Sequence, residues 1–361
     1  MILQHIELSD FRNYTHAKAD FETGVTAIIG SNGQGKTNLT EALGYLSTMK
    51  SFRGVPTEAM IRNSTHTAFV RAKVRHDDNR EILIEAKLTT QGRNQVLVNG
   101  VKLPKTRDLL GMVRTTVFSP DDLDLVKGGP HLRREFMDDC LVAYAIKYDA
   151  LRLDVDRVVR QRNAVLKQSG GRVNTAVSSM LDLWDEKLVV VGTQLGDARK
   201  NLVTQLTPFI THAYEELARC ASNIIVEYSP HWLEAGLEIS LQQSRGEDLR
   251  RLVTTVGPHR DDIEFEINGL AAKTHASQGE QRTLALALRL AFHRFISKTV
   301  GEIPILVLDD VLSELDPERA RALLNHFPVG QVLITTASEL PLGSHISRSV
   351  RIQAGTILES L

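Results

Sequence analysis

Cysteine is scarce in this 361-residue chain: there are two, Cys140 and Cys220. Neither has a neighbour at zinc-binding spacing, so both are expected to be reduced thiols with a structural role. Long apolar runs are also missing. No stretch approaches the roughly 18 apolar residues that would cross a bilayer, and "MILQHIELSD" lacks the basic region and apolar core of a signal peptide. These absences lead to the expectation of a cytoplasmic protein with no membrane partner. An excess of one charge is lacking too, since the formal net charge is −1. The total therefore argues neither for nor against nucleic acid. No internal repeat, low-complexity linker or long heptad pattern is visible, which excludes solenoids and extended coiled coils.

The distribution of charge says more than its sum. Residues 50–114 carry 13 Lys and Arg against 6 Asp and Glu. A basic lobe in a neutral protein is a plausible polyanion surface, though a solvated mixed-charge face fits equally well. The candidate contacts are Arg53, Arg71, Lys73, Lys102, Lys105 and Arg107.

The length suggests about two or three domains. "VTAIIG" (25–30) and "TNLTEALGYLS" (37–47) predict a strand, a glycine-rich loop and a helix. Residues 67–118 read as β-rich, with Asn99-Gly100 marking a hairpin. From about 131 to 222 the periodicity is helical, interrupted at Gly170-Gly171. Residues 223–267 read as short strands, followed by a helix at "SQGEQRTLALALRLAFHRFI" and strands at "IPILVLDD" and "GQVLITTA". The expected fold class is α/β, with an all-helical lobe inserted into the α/β lobe. The expected divisions are 1–130, 131–222 and 223–361.

Three motifs carry the chemistry. "GSNGQGKT" fits G-x-x-x-x-G-K-[ST] in full: Gly30, Ser31, Asn32, Gly33, Gln34, Gly35, Lys36 and Thr37. Its backbone N–H groups would cradle phosphates, Lys36 would reach the β- and γ-phosphates, and Thr37 would offer a hydroxyl to Mg²⁺. In "ILVLDDVLSELD" a buried strand runs into Asp309 and Asp310. Asp309 suits the Mg²⁺ side of such a site. A base, a subunit contact and a solvated turn are the other roles open to these acids. In "SQGEQR", Ser277, Gly279 and Gln281 open a long helix whose N-terminus suits a γ-phosphate, although Ser277 with Glu280 is also an ordinary capping box.

Together these motifs resemble ABC-type ATPases. "IELSDFRNY", "KSFRG", "VFSPDDLDLVKGGPHLRREFMD" and "GPHRDD" narrow the resemblance to the RecF family, relatives of SMC heads without their coiled coils. That resemblance implies ATP and Mg²⁺ as cofactors and an ATP-dependent homodimer in which Ser277 faces the partner's nucleotide. It implies binding to duplex and gapped DNA, slow hydrolysis that releases it, and cooperation with RecR and RecO in loading RecA. It further implies catalytic roles for Lys36, Asp309, Asp310 and Ser277, an arginine near nucleotide at Arg12, a DNA-sensing arginine at Arg53 and a dimer contact at Asp316. Asp310 stands where many relatives have a glutamate base and is one methylene shorter, which suits slow turnover. Ser119-Pro120 stands where transporter motors have a glutamine, and Thr335 and Thr336 where they have a histidine. Both departures argue against a transporter.

Overall fold

A computed structural model describes residues 1–325, 327, 329–337 and 346–358. It divides into two compact units. One comprises Met1–Leu123, Phe209–Ala221 and Ser277–Leu361; the other comprises Asp124–Pro208 and Ser222–Ala276.

The first unit holds two six-stranded sheets. In one, the strands run in the order Thr356–Leu358, Arg348–Gln353, Val25–Ile29, Val332–Thr336, Ile305–Leu308 and Thr115–Phe118. All neighbours are parallel except the Thr356–Leu358 edge. Every residue of Ile305–Leu308 is buried, as a strand covered on both faces of a parallel sheet must be. Because Thr336 pairs with Ile29 and Ile334 with Leu308, the carboxyl ends of three strands share one edge. Open α/β sheets bind ligands at that edge.

The other sheet is antiparallel, in the order Tyr14–Asp20, Ile2–Phe11, Thr67–Arg75, Glu81–Thr89, Gln95–Val98 and Val101–Lys102. Ala68, Val70, Ala72 and Val74 are buried while Phe69, Arg71 and Lys73 are not, the period of two of a one-sided sheet. The predicted hairpin is present, with Asn99 at φ 50° and Gly100 at φ 78°. Leu8, Ile28, Leu39, Leu43, Val70, Ile84 and Val307 join the sheets and the first helix in one core.

The helix Gln278–Val300 buries His293, which is 1% exposed and hydrogen-bonded through Nδ1 to Thr116 Oγ1 at 3.2 Å. Burial, with smaller contributions from Arg294 and the N-terminal amine, holds the imidazole down to about 4. The unfolded imidazole takes a proton near pH 6.5 and the folded one does not. Stability is therefore present above that pH and is lost as the pH falls toward 4. We expect about 1 kcal/mol to be lost on this account between pH 7.5 and 5.5. Calorimetric melting of His293→Gln should show a flatter pH slope than the parent; an unchanged slope would remove His293 as its source.

The second unit contains the helices Pro130–Tyr144, Lys147–Ser169 and Thr175–Ala218 up to Pro208, as the periodicity predicts, with Gly170 ending the second of these at φ 57°. Two features differ from the sequence reading. Residues 223–276, expected to belong with the C-terminal segment, lie instead in this unit. Also, His231–Ala235 and Leu237–Arg251 are helices where short strands were expected. Leu237, Leu241 and Leu249 supply a helical apolar stripe there, which Pro230 and Gly236 disguise as turn punctuation.

"GPHRDD" explains the first difference. Buried Asp261 accepts hydrogen bonds from Tyr228 Oη and from Trp232 Nε1 (2.6 Å), and its carbonyl accepts from Arg134 (2.7 Å). Asp262 takes both arms of Arg133 at 2.7 and 2.8 Å. Arg199 donates to the Pro258 carbonyl at 2.6 Å while its other nitrogens grip Asp138. The motif thus ties the segment 223–276 to the helices of its own unit.

Candidate nucleotide site

The loop after Val25–Ile29 turns sharply at Gly33 (φ 79°) and Gly35 (φ 120°), conformations that suit glycine, and then opens the helix Lys36–Thr48. Ser31, Asn32 and Gly33 are exposed, whereas Lys36 is buried. Lys36 Nζ donates to the carbonyls of Gly30 (2.6 Å) and Ser31 (3.1 Å), so the ammonium lies within the curl of the loop. The loop is braced from outside. Tyr14 Oη donates to Gly35 O at 2.9 Å, Asn13 Nδ2 to Gln34 O at 3.0 Å, and the Gly355 N–H to Gln34 O at 3.0 Å.

The acid at the end of Ile305–Leu308 lies against this helix. Asp309 is 3% exposed. It accepts from Thr40 Oγ1 (3.2 Å), Thr335 Oγ1 (2.9 Å) and the Thr37 hydroxyl. Burial raises its pKa above the usual carboxylate range, and the three hydroxyls work against that rise. Among the described residues it has no cationic partner. A buried carboxylate beside hydroxyl donors is a hard-oxygen set that fits Mg²⁺, with Thr37 and Asp309 as the residues that would hold it. Such a cation would offset the desolvation that burial imposes on Asp309.

Thr335 stands out in the sequence only as a histidine's replacement. Its hydroxyl also accepts the Asp310 N–H at 2.9 Å, joining the two acids through one side chain. It can do so because Val332–Thr336 lies between the P-loop strand and the acid strand. Asp310 holds φ 52°, a left-handed conformation that aspartate tolerates better than most residues. That offers a physical reason for the shorter acid at this position.

Arg12 does not stand alone. Its Nε and Nη2 clasp Glu41 of the P-loop helix at 2.7 and 2.6 Å, and Nη1 donates to Ala59 O at 2.7 Å. Its backbone sits at φ 53°, a conformation that persists where neighbours enforce it. Ser51 Oγ donates to the same fully buried Glu41, and Arg53 Nη1 lies 4.0 Å from it. Sequence reasoning missed both Glu41 and Ser51; a buried glutamate inside an amphipathic helix gives no local signal.

Ser277 caps its helix as the capping box predicts. Its Oγ donates to Glu280 Oε2 at 2.8 Å and accepts from the Glu280 N–H at 3.3 Å. Ser277 is exposed, Gly279 half-buried and Gln281 buried. After Thr115–Phe118, Ser119 N donates to Asp122 Oδ2 at 2.9 Å, and Asp122 is gripped by Arg289 of the Ser277-capped helix at 2.6 and 3.0 Å. Asp316, expected to touch a partner subunit, is engaged within the chain with Arg319 at 2.6 Å. The side chain of Glu314 lies outside the described residues.

Part of the basic surplus is paired. Arg71 contacts Glu85 at 2.9 Å and Glu7 at 3.4 Å, and Lys73 contacts Glu81 at 2.8 Å. The register puts Lys18, Glu7, Arg71, Glu85, Leu97 and Lys102 in one cross-strand row, an alternating ladder rather than a cationic stripe. Lys102 and Lys105 are exposed, Arg107 is half-buried, and the Arg53 side chain is 41% exposed.

Known proteins resemble this chain in sequence and in fold. The RecF/RecN/SMC N terminal domain family matches residues 2–352. The DNA replication and repair protein RecF of Streptomyces avermitilis is 39% identical over 353 residues, covering 94% of each chain. That of Cutibacterium acnes is 37% identical over 385 residues, covering 98% of this chain and 97% of the relative. Among solved structures, the recombination mediator protein RecF-ATP in the RecFOR pathway superposes with a TM-score of 0.91 at 31% identity, covering 99% of this chain and 97% of the other. The SMC head of Pyrococcus furiosus, bound to the C-terminal domain of ScpA, shares the fold at a TM-score of 0.57 and 15% identity.

Proposed function

This chain belongs to the RecF family of ABC-type ATPases, and we propose that it is an ATP-dependent DNA-binding switch of recombinational repair and replication restart. The observation that carries the reading is the junction of Thr37, Asp309 and Thr335 directly behind the Lys36 loop. The loop N–H groups and Lys36 hold the phosphates, while Thr37 and Asp309 present oxygens to Mg²⁺, which when bound neutralises charge on the terminal phosphates. Asp310, oriented by its N–H bond to Thr335, polarises the attacking water, and its short reach keeps turnover slow. Ser277 and the N–H groups of its helix meet the nucleotide of a second copy, so that two nucleotides are sandwiched in a two-fold dimer. The dimer binds DNA near single-strand gaps through phosphate contacts from exposed cations such as Arg53, Lys102 and Lys105. Hydrolysis releases it, and RecO and RecR are its partners in loading RecA.

Sedimentation of the chain with ATP and Mg²⁺, with and without gapped DNA, tests the switch. Ser277→Arg should still bind ATP as a monomer and should form no ATP-dependent dimer. Dimers of that variant at the parent's concentration would overturn the composite site. Phosphate release should rise with DNA and fall for Asp310→Asn. No release by the parent under any condition would leave a nucleotide-binding scaffold instead.

A further inference from the structure

The helix capped by Ser277 carries at its N-terminus a cation from elsewhere in the same unit. A Cβ placed on Gly279 would lie 2.9 Å from Nη1 of Arg319 and 3.3 Å from its Cζ, so the guanidinium rests on the signature glycine. Arg319 is held there by Asp316. Nη1 donates to Asp316 Oδ2 at 2.6 Å, while Asp316 Oδ1 accepts the N–H groups of Arg319 (2.9 Å) and Glu318 (3.1 Å). Asp316 thereby caps the helix Pro317–Asn325 and orients the arginine on its first turn.

A cation against a helix N-terminus is electrostatically misplaced, because the free N–H groups there already carry about half a positive charge. Two carboxylates offset it. Asp316 is held below the usual carboxylate range, first by the Arg319 N–H and then by the Arg319 side chain. Glu280 is lowered chiefly by Ser277, with a smaller contribution from Arg319. The Arg319 side chain is 33% exposed, and Ser277 is exposed. The guanidinium is therefore partly accessible beside the helix N-terminus, with one arm held by Asp316 and its charge offset by the two carboxylates. A guanidinium presents a planar fork that matches phosphate oxygens, which a lone hydroxyl and N–H group do not.

We infer that Arg319 reads the terminal phosphate of the nucleotide bound to the partner copy, with Asp316 as its positioning residue. The inference rests on the two-fold sandwich proposed above. It makes Arg319 the group that distinguishes ATP from ADP at the composite site, since ADP lacks the phosphate the fork would take. It also gives Asp316 a different task from the direct dimer contact expected of it: the carboxylate aims the arginine within its own chain.

The test uses the full chain and three variants, Arg319→Ala, Arg319→Lys and Asp316→Asn, beside Ser277→Arg. ATP binding at dilute concentration, read with a fluorescent ATP analogue, reports on the P-loop alone and should stay within about twofold for all of them. Losing one charge-assisted contact at each of two symmetric sites should raise the dimer dissociation constant with ATP roughly hundredfold for Arg319→Ala. Arg319→Lys should recover part of that loss, and Asp316→Asn should fall between parent and Arg319→Ala. Melting of each monomer within a few degrees of the parent separates the effect from misfolding. If the parent dimerises with ATP, Ser277→Arg does not, and Arg319→Ala matches the parent, the arginine assignment alone is wrong. If the parent itself fails to dimerise with ATP, the sandwich reading falls and this inference with it.

Discussion

Lys36→Arg is expected to bind ATP and to lose hydrolysis by about a hundredfold or more. The lysine's role depends on shape as well as charge. Its ammonium fits between the carbonyls of Gly30 and Ser31 at 2.6 and 3.1 Å, inside a loop whose other wall is braced by Tyr14 and Asn13. A guanidinium is planar and longer, and cannot take the place of a compact three-donor ammonium in that curl. The charge persists, so ground-state attraction for a triphosphate should largely remain. What is lost is the placement of positive charge where it develops on the transferring phosphoryl group, and one misplaced donor of this kind costs about 3 kcal/mol. Single-turnover phosphate release beside a nucleotide titration separates the two effects. A rate within about threefold of the parent would show that Lys36 serves binding alone.

Arg162→Met should unfold the second unit far more easily, by about 3–5 kcal/mol. Arg162 is 0% exposed, and its Nε and Nη1 reach Asp185 at 2.5 Å and Asp248 at 2.6 Å, with Thr254 Oγ1 at 3.0 Å from Nη1. These residues stand on three helices and the loop after the last, so one side chain joins Lys147–Ser169, Thr175–Ala218 and Leu237–Arg251. Methionine fills similar volume but leaves Asp248, itself 0% exposed, as a buried anion without its cation. The loss therefore comes from the stranded carboxylate, and Arg162→Met with Asp248→Asn should recover much of it. The chain has two tryptophans, Trp184 and Trp232, and both belong to this unit, so intrinsic fluorescence during urea unfolding reads it selectively. A double variant no more stable than Arg162→Met would locate the cost in packing instead.

The parts of the site legible in the sequence are those set by short stretches of chain. The loop from Gly30 to Thr37 is legible because a phosphate-binding curl needs particular residue types at adjacent positions. The Ser277–Glu280 cap is legible because both partners lie within one helical turn. Glu41, Thr40 and Arg319 are not legible. Each sits in an ordinary helical sequence, and its role is defined by a partner far along the chain or on another element. The cations Arg71 and Lys73 show the reverse error. Counted along the chain they suggest a basic face, while the sheet register sets each beside a glutamate.

By itself, then, the sequence determined the nucleotide loop, the buried acid strand, the hairpin at Asn99-Gly100 and the long helices, because periodicity and turn chemistry act over a few residues. Only the tertiary structure decided that Asp309 meets Thr40 across 269 residues of chain, that residues 223–276 join the second unit, and that Arg319 rests on Gly279. Those choices belong to strand order and to buried ion pairs, whose energies depend on which distant groups are brought out of water together. Local composition carries no record of that.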